Sequence, residues 1–162
     1  QRQMCIRDRN LGLYHFNRNA LIYSLVAYLI LYLVLTAYSY AFQISPPEEF
    51  IKLMQATPFV LNFLMVVIGA PIVEELLFRG FLFSQLKTTK LGINGSIILT
   101  SLIWTSIHLQ YDLFLLIPIF LLGLLLGYLM HKYNSLYLVI IVHAVHNLQA
   151  TLFIEFYYDY FY

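Results

Sequence analysis

Hydrophobic positions in this chain are grouped into long blocks, and the charged residues fall almost entirely between them. Five runs contain no Asp, Glu, Lys or Arg: 19–47, 53–73, 91–111, 113–131 and 133–154, of 29, 21, 21, 19 and 22 residues. A bilayer's hydrocarbon core is about 30 Å thick and a helix needs roughly 20 apolar residues to cross it, so each run predicts a membrane span. Breakers set the boundaries. Pro46-Pro47 closes the first helix, and Pro58 suits the first turn of the second, where a missing N–H costs nothing. From Pro58 the chain stays mostly apolar to Leu86, about 44 Å of helix. That exceeds the bilayer core, so this helix must tilt, bend or emerge. Pro71 is the expected bend point, and by α-helical spacing it frees the carbonyl of Val67. Gly92, Asn94 and Gly95 make a turn, and a third helix over about 96–109 spans only ~21 Å. Segments 112–133 and 135–158 complete the pattern. The predicted fold class is all-α, a multi-pass transmembrane bundle of about five helices.

Composition sharpens this picture. The 162 residues are 61% hydrophobic and 10% charged, with mean hydropathy +0.77. Soluble domains carry about 25% charged residues, so a water-soluble globule is excluded. The net charge of +1 is uninformative, because Arg2, Arg7 and Arg9 crowd the first nine positions; without that whole segment, Asp8 included, six basic residues face seven acidic ones. Nucleic acid is therefore not an expected partner, and the lipid bilayer is. The opening QRQMCIRDR matches nothing else in the chain, and 1–9 reads as a non-native leader. It holds the one cysteine, Cys5, so neither an internal disulfide nor a cysteine metal cluster is available. The remainder divides into 10–56, a first transmembrane helix with an outer loop, and a core over 57–162.

Lys and Arg concentrate in cytoplasmic loops. Arg18, Lys87, Lys90 and Lys132 lie at one end of the predicted bundle, while Glu48, Glu49, Asp112, Glu155 and Asp159 mark the other, with Lys52 the exception. The asymmetry predicts a plasma-membrane protein, bacterial in compositional character, with its N-terminus cytoplasmic and its C-terminus outside.

Ionisable residues inside a span cost about 2.5–3.5 kcal/mol each even on lenient scales, which makes function their default reading. Glu74, Glu75 and Arg79 sit in the second apolar helix, His108 near the end of the third, and His143, His146 and Asn147 in the fifth. Glu75 and Arg79 are four apart and share a helix face as an ion pair. Glu74 is one step, about 100°, around the helix and is free to face a cavity. His143 and Asn147 are also four apart and project together; His146 either joins them or bonds a neighbouring helix.

A carboxylate, a histidine from a second helix and a His/Asn pair from a third make a hydrolytic set. Glu74 can take a proton from water, His108 can hold that water, and His143 with Asn147 can donate hydrogen bonds to an oxyanion. The bland reading is that these groups only hold packing, as buried ion pairs often do. A further rival is a non-catalytic scaffold or a proton-linked transporter using the same Glu and His residues. No duplication of broken helices, the usual mark of a transporter, is present in the sequence.

The ordered motifs Glu74-Glu75-x-x-x-Arg79, Trp104-x-x-x-His108 and His143-x-x-x-Asn147 resemble those of the CAAX prenyl protease and bacteriocin-processing family of intramembrane endopeptidases. The resemblance covers residues 70–147. It implies an endopeptidase acting on a membrane-associated peptide or protein, in some cases lipidated. Glu74 would be the catalytic carboxylate, His108 its partner in positioning water, and His143 and Asn147 the oxyanion donors. Glu75, Arg79 and Trp104 would support them, Trp104 standing as an apolar wall where the family more often has Phe. His146 is outside the pattern. Family enzymes carry more helices before the Glu-Glu helix, so the chain is expected to be an N-terminally truncated family core.

Glu74, His108 and His143 could also bind zinc, but the sequence lacks the H-E-x-x-H helix of zinc peptidases, and glutamate-type chemistry without a cofactor is the favoured expectation. Gly123 and Gly127 share a face of the fourth predicted helix and suit close helix packing. Asp112 reads as that helix's N-terminal cap.

Overall fold

The computed structural model describes residues 12–109 and 111–158. The leader 1–9 and the tail residues Asp159, Tyr160 and Tyr162 lie outside them. Six helices follow in order among the described residues: α1 (Arg18–Phe42), α2 (Glu48–Ala56), α3 (Phe59–Leu86), α4 (Gly92–Ser106), α5 (Leu113–Tyr133) and α6 (Leu136–Phe156). Four of these, α1, α3, α5 and α6, are long and apolar enough to cross a membrane. The chain is an all-α, multi-pass integral membrane protein.

The third uncharged run, 91–111, does not make a fifth long helix. It becomes α4, 15 residues or about 22 Å, because 107–109 leave the helix in tight turns in which the His108 N–H bonds the Thr105 carbonyl. Inside α4 the buried hydroxyls of Thr100, Ser101 and Thr105 donate back to the carbonyls of Ser96, Ile97 and Ser101 at 2.7–2.8 Å. These satisfied small side chains let α5 come close. A Cβ on Gly123 would stand 3.1 Å from both Ser101 and the Trp104 ring, and one on Gly127 would stand 3.0 Å from Ile97.

The segment read as an outer loop contains α2. Pro47 precedes Glu48 and Glu49 in the first turn, where carboxylates complement the helix dipole. Ile51 and Met54 bury one face against Ile154 of α6, while Lys52 and Glu48 pair at 2.6 Å on the other face. Asp112 and Ser135 cap α5 and α6, accepting from the Leu115 and Leu138 N–H groups.

Helix α3 is continuous but not α-helical throughout. Phe63–Gly69 and Leu76–Leu82 are π-helical, flanking the short α segment Ala70–Glu75 that holds Pro71. The bend expected at Pro71 thus takes the form of a widened turn before it. The wider spacing also moves the carbonyl that proline strands: the Ala70 N–H reaches back five residues to Met65, so the next rung belongs to Val66 and not to Val67. The half of the bundle nearest Lys87, Lys90 and Lys132 is closed by Phe83, Leu126, Met130, Leu136 and Val139, all essentially without solvent exposure.

Candidate active site

Glu75, Arg79 and His143 form a buried network. The Arg79 Nη1 donates to Glu75 Oε1 at 2.8 Å, and its Nη2 donates to the Gly123 carbonyl of α5 at 3.2 Å. Its guanidinium stands 4.8 Å from the Trp104 ring centre. His143 Nδ1 lies 2.8 Å from the same Glu75 oxygen. A carboxylate can only accept, so Nδ1 carries the hydrogen. Glu75 and Arg79 are fully buried and His143 is 2% exposed. The ion pair expected from four-residue spacing is present, and it reaches further than the spacing implied by also fixing a histidine on α6.

Glu74 faces elsewhere. One residue before Glu75, it lines a cavity of about 260 Å³ and accepts a hydrogen bond from the Trp104 indole N–H. The sequence reading treated Trp104 as an apolar wall; the overlooked signal is that Trp, unlike Phe, carries a donor. His108, in the turn after α4, sits edge-on to Trp104 with ring centres 5.3 Å apart. Its Nδ1 is 2.9 Å from the Trp104 carbonyl, an acceptor, so Nδ1 is again the protonated nitrogen and Nε2 keeps its lone pair.

Asn147 lines the same cavity one turn beyond His143, and its Nδ2 donates to the Val66 carbonyl at 2.8 Å. His146 also lines it, with Nδ1 3.3 Å from the Tyr28 hydroxyl of α1. Four residues along α1, Tyr32 accepts from Gln149 at 3.0 Å. Glu74, Trp104, His108, His143 and Asn147 therefore meet around one space, contributed by α3, α4 with its turn, and α6. The Tyr28 and Glu75–His143 links were not visible in the sequence, since their partners are 118 and 68 residues apart.

The cavity runs from these groups at mid-depth past Leu122 and Ile119 to Phe50, Met54, Tyr111 and Ile154. That is the α2 end. The half nearest Lys87, Lys90 and Lys132 is packed solid instead.

The family model for the type II CAAX prenyl endopeptidase Rce1-like proteins matches residues 56–149. That interval covers more than half of the chain and includes each of the site residues above except those on α1 and α2 and the cavity-lining Ile154. The chain belongs to this family. No curated protein and no solved structure matches it.

For an Rce1-like chain the donor geometry bears directly on zinc. Among the described residues no group of three His, Cys, Asp or Glu side chains is arranged to hold a metal ion. Glu74 has one oxygen engaged by Trp104, and the indole packs against both His108 and His143 with ring centres 5.3 Å apart in each case. Glu74, His108 and His143 share the cavity without converging as a ligand set, and no step below passes through a metal.

Proposed function

We propose that this protein is an intramembrane endopeptidase of glutamate type, cleaving a peptide bond in a membrane-associated peptide or protein. The family's description makes a prenylated C-terminal segment the first substrate class to try. The observation that carries the reading is the meeting of Glu74, His108, His143 and Asn147 on one cavity from separate elements.

The chemistry follows from donors and acceptors. The free Glu74 oxygen and His108 Nε2 are both acceptors, so together they hold a water by its two hydrogens and leave its lone pair for the scissile carbonyl. As the C–O bond forms, Glu74 takes the water's proton. The carbonyl oxygen becomes an oxyanion, met by the second N–H of the Asn147 amide and by Nε2–H of His143 in its doubly protonated form, with Glu75 as counter-ion. Collapse breaks the C–N bond, and Glu74 returns the proton to the leaving amine. The products are a carboxylate and an amine.

Loop charges favour a plasma-membrane orientation with the Arg18, Lys87, Lys90 and Lys132 end in the cytoplasm. In that orientation the cavity faces the opposite side. Labelling of Phe50→Cys from outside, but not from inside, is the expected result.

Cleavage of a prenylated peptide and its unprenylated counterpart in reconstituted vesicles tests the function. Glu74→Gln, His108→Ala and His143→Ala should fold and lose cleavage. Variants that fold and cleave like the parent would sink the reading. Loss of activity on chelation, restored by stoichiometric zinc, would overturn the glutamate assignment alone.

A further inference from the structure

The geometry of α3 offers a residue that acts on the oxyanion site from outside it. Where the π-helical stretch Phe63–Gly69 ends, the hydrogen bond spans five residues, from the Ala70 N–H back to Met65. The next rung would pair residue 71 with Val66, and residue 71 is proline, which has no N–H. Inside the membrane a stranded carbonyl needs another donor, from a side chain or from water in a cavity. The Val66 carbonyl finds Asn147 Nδ2 at 2.8 Å, from a helix 81 residues away in sequence.

We infer that Pro71 is a positioning residue for catalysis: by withholding its N–H it reserves the Val66 carbonyl for Asn147 and so aims the remaining amide N–H of Asn147 into the cavity. An amide is planar. Fixing one of its N–H groups on Val66 fixes the direction of the other. With a helical N–H at position 71, the Val66 carbonyl would be satisfied within α3, and the Asn147 side chain would lose the contact that orients it. The inference rests on the proposed role of Asn147 as an oxyanion donor. It goes beyond that role by tracing its orientation to a residue on a different helix, three before Glu74.

The test compares Pro71→Ala with position 71 filled by the α-hydroxy analogue of alanine, introduced by nonsense suppression. That analogue has an ester linkage in place of the amide and, like proline, no N–H. Removing an oxyanion donor costs about 10²–10³ in kcat, so losing its aim should cost at least about tenfold. Pro71→Ala is expected to lower kcat by that factor with KM unchanged, and the hydroxy analogue to restore most of it. In an Asn147→Ala background, Pro71→Ala should add nothing. A parental kcat for Pro71→Ala while Asn147→Ala is slow would overturn the inference and leave the peptidase reading intact. So would a hydroxy analogue as slow as alanine, or effects of the two substitutions that multiply. Parental cleavage by Asn147→Ala would sink both the donor role and the inference. Should Pro71→Ala fail to fold, the hydroxy analogue decides alone: a rate near the parent's supports the inference, a slow one refutes it.

Discussion

Removing the Arg79 side chain should destabilise this protein far more than removing both charges of its ion pair would suggest. Arg79→Met deletes a 2.8 Å bond to Glu75, a bond to the Gly123 carbonyl and a cation–π contact with Trp104, all at a site without solvent exposure. A hydrogen bond to a charged group is worth about 1.5–3 kcal/mol, and an unsatisfied buried carbonyl costs about 1–3 kcal/mol. The Glu75 carboxylate is left with His143 as its partner. Breaking one side of a buried pair typically costs about 3–5 kcal/mol, and that is the expected loss here. Replacing Glu75 and Arg79 together by Met removes the uncompensated charge, so the double variant should lie at least about 2 kcal/mol above the sum of the single losses. Glu75 Oε2 and Arg79 Nε have no hydrogen-bond partner among the described residues, which adds to the expectation that the network is replaceable as a unit. Trp104, the sole tryptophan, reports the local state by fluorescence during SDS titration in mixed micelles. A single-variant loss under about 1 kcal/mol, or strict additivity, would refute the argument.

Trp104→Phe keeps the ring's bulk and removes its donor to Glu74. At about 1.5–3 kcal/mol for a charge-assisted bond, kcat/KM should fall by about 10- to 100-fold, and an unchanged value in cleavage assays would show that the bond is dispensable. Gly123→Ala and Gly127→Ala each force a neighbour aside and should cost about 1–3 kcal/mol in the same unfolding titration. Gly123→Ala should also slow cleavage because one of its clashes is with Trp104, whereas the nearest atoms to a Cβ at Gly127 belong to Ile97, outside the site, and Gly127→Ala should not. On α2, the hydrogen bond from Lys52 holds the Glu48 carboxyl below its ordinary value. Lys52→Ala should move its NMR titration midpoint up towards an ordinary glutamate. A depressed carboxyl stabilises above its unfolded pKa and loses that contribution as pH falls through its folded one, but this pair is fully exposed, so the neutral-pH unfolding midpoint should not move.

Membrane character, helix order and the identity of the cavity groups are legible in the sequence because each depends on local rules. Charge-free length marks spans, and a 100° step separates Glu74 from Glu75. What escaped lies in register and in long-range contact. The run 91–111 is long enough to cross, yet α4 stops at Ser106, since the absence of charge does not distinguish helix from apolar turn. The π-helical widening of α3 shifts the stranded carbonyl from Val67 to Val66, a change no α-helical count anticipates. Helix α2 carried a readable start, Pro47 followed by two glutamates, but only one turn of its apolar face. The direction of the cavity depends on which half of the bundle packs solid, and that is decided between helices, where Gly123 and Gly127 admit α4.

The adjacency of Glu74 and Glu75 ties stability to the proposed chemistry. Two carboxylates side by side on a membrane helix would be prohibitive if both pointed inward to hydrocarbon-like packing. The helical step gives each a different environment: Glu75 is neutralised by Arg79 and hydrogen-bonded by His143, and Glu74 is turned into the cavity and held by Trp104. A single rotational setting of α3 satisfies both. The ion pair therefore also aims Glu74, and because Glu75 holds the α6 histidine and Arg79 lies on the Trp104 ring, it fixes α3 against the two helices that supply the other groups. On this argument a fault in the buried pair disorders the site before it unfolds the protein, so substitutions at Arg79 should lose cleavage under conditions where the helices remain assembled.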